Sequence, residues 1–136
     1  MTKTLKFAGV GLHSGKLIEL EIKPAAASTG IRFLRSDQPE ATPVLASPDS
    51  VSSSNLCTTI GEGVSRVSTI EHLMAAFSGL GIDNALVKVN AAELPILDGS
   101  SAPFIDRLTE AGVQIQGAKR KIFLPRQTIV VRDGDQ

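Results

Sequence analysis

Residues 17–22 read Leu17-Ile18-Glu19-Leu20-Glu21-Ile22, and this stretch decides the fold. Ile18, Leu20 and Ile22 share one parity; Glu19 and Glu21 share the other. A period of two puts the aliphatic side chains on one face of a strand and the carboxylates on the opposite face. Such a strand belongs to a sheet with one buried side and one wet side. Upstream, Leu5, Phe7 and Gly9 also share a parity, so residues 5–9 predict a partner strand. GLHSG (residues 11–15) between the two reads as a hairpin connection. Downstream, PAAASTG (residues 24–30) is a loop and Ile31-Arg32-Phe33-Leu34 a third strand. Residues 36–54 are rich in Ser, Pro and Asp and predict irregular chain with a short strand at Val44-Leu45. Residues 56–60 predict another strand, ended by the turn Gly61-Glu62-Gly63.

The pattern then changes period. Ser68-Thr69-Ile70-Glu71 matches the capping box, in which Ser68 accepts from the N–H of Glu71 and Glu71 reaches back to the N–H of Ser68. Ile70, Leu73, Met74, Phe77 and Leu80 follow at helical spacing, and Gly79 and Gly81 supply a left-handed termination. Residues 84–89 (NALVKV) predict a strand. Residues 93–101 are turn-rich, with Asp98-Gly99-Ser100 as a turn in which Asp98 satisfies nearby N–H groups. Residues 102–111 predict a second helix with Phe104, Ile105 and Leu108 on one face. Pro103 suits its first turn and Gly112 its end. The apolar runs Ile122-Phe123-Leu124 and residues 128–131 predict one or two terminal strands. Together these elements predict an α+β fold: a mostly antiparallel sheet with two helices packed on one face, a two-layer sandwich.

Composition bounds the function. A chain of 136 residues is one domain that buries about two-thirds of its surface on folding. Fourteen Lys and Arg balance fourteen Asp and Glu, so no global basic field exists to hold nucleic acid. There is no Trp or Tyr and only five Phe, which argues against a base-stacking platform. The single cysteine, Cys57, cannot form an intrachain disulfide, and a cysteine-only zinc site is excluded. Lying in an apolar run, Cys57 reads as a small buried hydrophobe. The N-terminus has no sustained apolar stretch resembling a secretory signal, and no run of apolar residues is long enough to span a membrane. The expectation is a soluble, cytoplasmic protein. The chain stops directly after an apolar run, which suggests that more sequence followed.

Two groups of residues carry candidate chemistry. Glu71 and His72 are adjacent in the opening turn of a helix, so their side chains point about 100° apart and address neighbouring parts of one site. The positive field of a helix N-terminus disfavours imidazolium and leaves His72 a neutral nitrogen free for a metal. Glu71 alongside could then accept a proton from water. The same carboxylate is equally accounted for as half of a capping box. The second group is GVGLHSG (residues 9–15), whose glycines let backbone approach a ligand closely beside His13. It also reads as a plain glycine-rich hairpin with an exposed imidazole. It lacks the spacing of a phosphate-binding P-loop.

Four segments taken together are more specific than any one. GVGLHSGK (residues 9–16), STIEH (68–72), GLGIDN (79–84) and PILDGSSAPF (95–104) occur in an order and spacing that closely resemble the N-terminal domain of the UDP-3-O-acyl-N-acetylglucosamine deacetylases, zinc amidases of lipid A biosynthesis. The resemblance implies one half of a two-domain fold, with residues 1–125 as the N-terminal domain and residues 126–136 as a linker or the first strand of a second domain. It implies that His72 is a Zn2+ ligand, that Glu71 is the general base, and that Leu56 and Cys57 lie on a strand beside the metal that contacts bound ligands. His13 falls near the cleft for the UDP-linked, acylated glucosamine substrate. Asp98 belongs to a family motif but receives no chemical role.

A catalytic zinc normally takes three protein ligands. The resemblance supplies one here, because the remaining ligands and a catalytic His belong to the second domain. Two readings follow: half of a deacetylase, inactive alone and completed by a C-terminal catalytic domain, or a stand-alone non-catalytic binding or scaffold domain derived from that family. A local metal site built from His13, His72 and a carboxylate is a third, formal option. The half-enzyme reading further predicts self-association through an uncovered helix face, with Leu73, Met74, Phe77, Phe104 and Leu108 as candidates.

Overall fold

The computed structural model describes residues 2–120, 122–132 and 134. The alternation at residues 17–22 becomes strand β2 (Leu17–Pro24), paired antiparallel with β1 (Leu5–Val10). Their register sets Leu5 opposite Ile22, Phe7 opposite Leu20 and Gly9 opposite Ile18, so the two inward parities coincide. Ile18, Leu20 and Ile22 are buried while Glu19 is exposed, as the alternation requires. The remaining strands and α-helices are β3 (Ile31–Arg35), β4 (Val44–Leu45), β5 (Val51–Ser53), β6 (Thr59–Ile60), α1 (Glu71–Gly79), β7 (Ala85–Val89) and α2 (Ala102–Ala111), with single 3-10 turns at Pro48–Ser50 and Gly63–Ser65.

The main sheet has the order β1-β2-β7-β3-β4. Three of its joins are antiparallel, and β3 with β7 is parallel. A parallel pair needs a crossover, and the segment from β4 through α1 supplies it. β5 and β6 form a separate two-stranded ribbon. Both helices bury one face against the sheet. Leu73, Ala76, Phe77, Phe104, Leu108 and Ala111 join Ile18, Leu20, Ile22, Phe33, Val87 and Val89 in one core. The Phe104 ring lies 5.1 Å from that of Phe7 at an interplanar angle of 54°, a tilted pair that sews α2 to the edge strand β1.

The expected α+β two-layer arrangement is present; several local expectations are not. Residues 56–60 do not form one strand: β6 starts only at Thr59, and Leu56 and Cys57 sit in a bend before it. Leu56 adopts φ of +61°, which no strand residue can hold. Cys57 is half-buried rather than a core residue. The runs at 122–124 and 128–131 form no strand among the described residues; Ile122, Phe123, Leu124, Ile129, Val130 and Val131 are exposed and have no partner strand. Leu73, Phe77, Phe104 and Leu108 are all fully buried, so they belong to this domain's own core and not to an uncovered face. Met74 alone of that set is half-exposed.

One buried charge holds the sheet to the loop beyond it. Arg35, at the end of β3, is 9% exposed. Its Nε and Nη2 donate to the two Asp37 carboxylate oxygens at 2.8 and 2.7 Å, and Nη1 donates to the Arg66 carbonyl at 3.2 Å. The Arg35 hydrogen bonds hold the Asp37 carboxyl below the usual range, against a smaller opposing effect of burial. Asp37→Ala leaves the guanidinium without its counter-charge. It is expected to lower unfolding stability by about 1.5–3 kcal/mol, read from urea denaturation; a loss within about 0.5 kcal/mol, the usual effect of a surface change, would show the pair to be dispensable.

Candidate active site

The segment before α1 is set by backbone pairing and not by a capping box. The Ser68 N–H donates to the Ala92 carbonyl at 2.9 Å, and the Leu94 N–H donates to the Ser68 carbonyl at 3.1 Å. Ser68 is thus held beside residues 92–94 as a short parallel bridge. Thr69 then takes φ of +58° while fully buried. A β-branched residue in the left-handed region costs on the order of 1–3 kcal/mol and persists only where its surroundings fix it. This reversal lets Ile70 enter the right-handed region and Glu71 begin the helix. Ser68 is turned away from the helix by that step, which is why no side-chain cap forms.

Glu71 finds another partner. Its Oε2 accepts the Thr58 N–H at 3.0 Å, which draws the 55–58 bend against the first turn of α1. The bend is fixed further by Thr59, whose hydroxyl donates to Ser68 Oγ at 3.0 Å and lies 3.8 Å from Cys57 Sγ. Leu56 projects from this bend and is 86% exposed. Leu56, Cys57 and Glu71 therefore adjoin, although the strand expected to carry the first two is absent.

His72 is half-buried on the same turn. It lies within the field of Asp98, whose carboxyl is held below its ordinary range chiefly by the N–H and hydroxyl of Ser100, both donating to Oδ1 at 2.9 Å. The His72 imidazole adds a weaker contribution to that lowering. The turn expected at residues 98–100 is thus built by Asp98 as a local acceptor.

His13 is exposed on the β1–β2 connection. Its backbone, not its ring, is anchored. The N–H groups of His13 and Ser14 donate to Oε1 and Oε2 of Glu93 at 2.8 and 3.0 Å. The Thr69 hydroxyl stands 3.4 Å from Oε1. Glu93 is only 5% exposed and was invisible to periodicity. The available signal was one carboxylate inside an otherwise apolar run, Ala91-Ala92-Glu93-Leu94-Pro95-Ile96. Gly11 makes room for it: a methyl group there would run into the Glu93 carboxylate and the Ser14 hydroxyl.

Burial raises the Glu93 pKa, but the His13 and Ser14 donors outweigh it and leave the carboxyl below its ordinary value. The stability this contributes is present above the unfolded value of 4.5 and is lost as pH falls through the lowered folded value. The stability difference between the parent chain and Glu93→Gln is therefore expected to be largest at neutral pH and to shrink on acidification below pH 4.5. Urea unfolding at a series of pH values measures it, and a difference that grew with acid would contradict the assignment.

Among the described residues, no group of three or more His, Cys, Asp or Glu side chains could hold a metal ion. The option of a local site from His13, His72 and a carboxylate is thereby removed, and His72 can be at most one donor of a site completed from elsewhere. A cavity of about 580 Å³ lies at the opposite end of α1, lined in part by Gly81, Asn84 and Gln116, and touches none of His13, Leu56, Cys57, Glu71 and His72. No helix among the described residues is long and apolar enough to cross a membrane.

The fold and site define a two-layer α+β domain that starts a helix with an adjacent Glu and His, braced by a strained lead-in and two loops. Over residues 1–136 the chain matches the family described as UDP-3-O-acyl N-acetylglycosamine deacetylase, and it belongs to that family. It is similar to the UDP-3-O-acyl-N-acetylglucosamine deacetylase of Citrifermentans bemidjiense, with 49% identity over 130 residues, covering 96% of this chain and 43% of the relative. The proteins of the same name from Methylococcus capsulatus and Haemophilus influenzae are each 44% identical, covering 100% of this chain and 45% of theirs. The chain thus spans less than half the length of these relatives.

Proposed function

We propose that this chain is the N-terminal half of a zinc-dependent deacetylase that removes the N-acetyl group of UDP-3-O-acyl-N-acetylglucosamine, in the cytoplasm, on the route to lipid A. The observation that carries this reading is the joint placement of Glu71 and His72 on the first turn of α1, with the 55–58 bend pinned against Glu71 by the Thr58 N–H. Family membership and the relatives' names support the reaction class.

His72 is assigned as a zinc ligand, with the other ligands and a catalytic His supplied by a second domain. When bound, zinc lowers the pKa of a coordinated water and polarises the amide carbonyl. Glu71 is assigned the proton: Oε2 is engaged by Thr58, which leaves Oε1 to accept one from the attacking water. Leu56 and Cys57 are assigned to the substrate-facing wall beside that carboxylate, and His13 to the cleft where the UDP-linked sugar lies. Residues 126–136 would lead into the second domain.

The chain alone is expected to release no acetate from the UDP-sugar, and release should appear when the second half of the fold is supplied. Chelator-sensitive acetate release by these 136 residues alone would overturn the half-enzyme reading. The alternative, a non-catalytic binding or scaffold domain, is favoured by the structural role that Glu71 already fills as the acceptor for the Thr58 N–H. It predicts measurable UDP affinity by the chain alone and no restoration of activity on adding the second half.

A further inference from the structure

We propose that Glu93 is a positioning residue: its buried carboxylate ties the turn carrying His13 to the strained residue that launches α1, and so fixes where the backbone that bears the His13 imidazole stands relative to the start of α1. Its bearing on catalysis rests on the functional reading above; the tie itself does not.

The argument begins with cost. A carboxylate buried to this degree is unfavourable unless its oxygens are hydrogen-bonded, and at best it breaks even with an apolar group of the same size. Filling the core therefore does not explain it. What explains it is the set of donors. Two come from consecutive backbone N–H groups of a turn about 80 positions away in sequence. A third, the Thr69 hydroxyl, comes from the left-handed residue two positions before the helix. Thr69 needs neighbours that over-determine it, and the Ser68 bridge to Ala92 and Leu94 flanks Glu93 on both sides. The absent Cβ of Gly11 leaves the space the carboxylate fills. The exposed hairpin and the start of α1 consequently move as one body, although no strand ladder joins them. A neutral side chain cannot do this, because both backbone donors point at oxygens of one carboxylate.

Glu93→Gln keeps the shape but turns an NH2 group toward one of the two N–H donors. In amide hydrogen exchange followed by NMR on this chain, His13 and Ser14 should lose about tenfold in protection, the equivalent of one hydrogen bond, while Leu20 and Val87 in the sheet keep theirs. Gly11→Ala, which displaces the same carboxylate by a different route, should expose the same two amides. Unchanged protection at His13 and Ser14 in Glu93→Gln would overturn the proposal. So would an equal loss at Leu20 and Val87, which would make Glu93 a general fold residue.

In the completed two-domain enzyme, His13→Ala and Glu93→Gln should each raise KM by about three- to tenfold, and the double variant no more than either alone. Additive effects would show that Glu93 does not act through His13 and would overturn the positioning role. An unaltered KM in His13→Ala with the exchange result intact would instead remove His13 as a substrate contact and leave the tie established.

Discussion

On the proposed half-enzyme reading, Glu71→Gln is expected to cut turnover of the completed two-domain protein by about 10²–10⁴-fold while leaving its metal content unchanged. The separation of the two effects comes from the tether. Gln retains an amide oxygen that can accept the Thr58 N–H, so the 55–58 bend stays against the helix. Its other terminal group cannot take a proton. His72 is untouched, so metal retention, measured by elemental analysis, should not change. His72→Ala should show the reverse order of effects, with metal lost first. Near-normal turnover in Glu71→Gln would remove the carboxylate from the chemistry and return it to a purely local role as the acceptor for Thr58.

Phe104→Ala is expected to cost about 3–5 kcal/mol in unfolding free energy. The ring is 1% exposed and sits where α2 meets both the sheet and the tilted Phe7 ring. The substitution therefore opens a cavity and abolishes the aromatic pair, worth about 0.5–1.5 kcal/mol beyond its area. Domains of this size hold about 5–15 kcal/mol in total, so the loss is a large share of the fold's stability. The urea midpoint should fall with little change in slope. A loss below about 1 kcal/mol would mean that the α2–β1 seam is held by something other than this ring.

The sheet and helices were legible because their information is local. The alternation at 17–22 and the spacing Leu73, Phe77 each name a face within one element, and the faces meet as the periods require. Asp98 as a turn acceptor is local in the same way. Ser68 departs from its local capping-box pattern because a long-range bridge to Ala92 and Leu94 and the reversal at Thr69 outcompete it. The strand expected at residues 56–60 failed for a related reason: Glu71 claims the Thr58 N–H that a ladder would have used. Glu93 left no periodic trace at all, since its partners are backbone groups of a distant turn. The sequence names Glu71, His72, His13, Leu56 and Cys57 as candidates, and the structure brings Leu56, Cys57 and Glu71 next to one another. What the sequence could not supply was the tether of Glu71 to Thr58 or the anchoring of the His13 turn.

The parallel join between β3 and β7 also governs the order in which this molecule can be made. β7 is inserted between β2 and β3, yet it is the last strand of the sheet to emerge during synthesis. Until residues 85–89 exist, the β1–β2 hairpin and β3 each present an open edge and an oily face with nothing to zip onto. Nascent chains stalled before that point carry two sticky templates, the kind of surface that recruits chaperones or seeds aggregates. Translation pauses ahead of Ala85 should therefore harm the yield of soluble protein more than pauses after Val89.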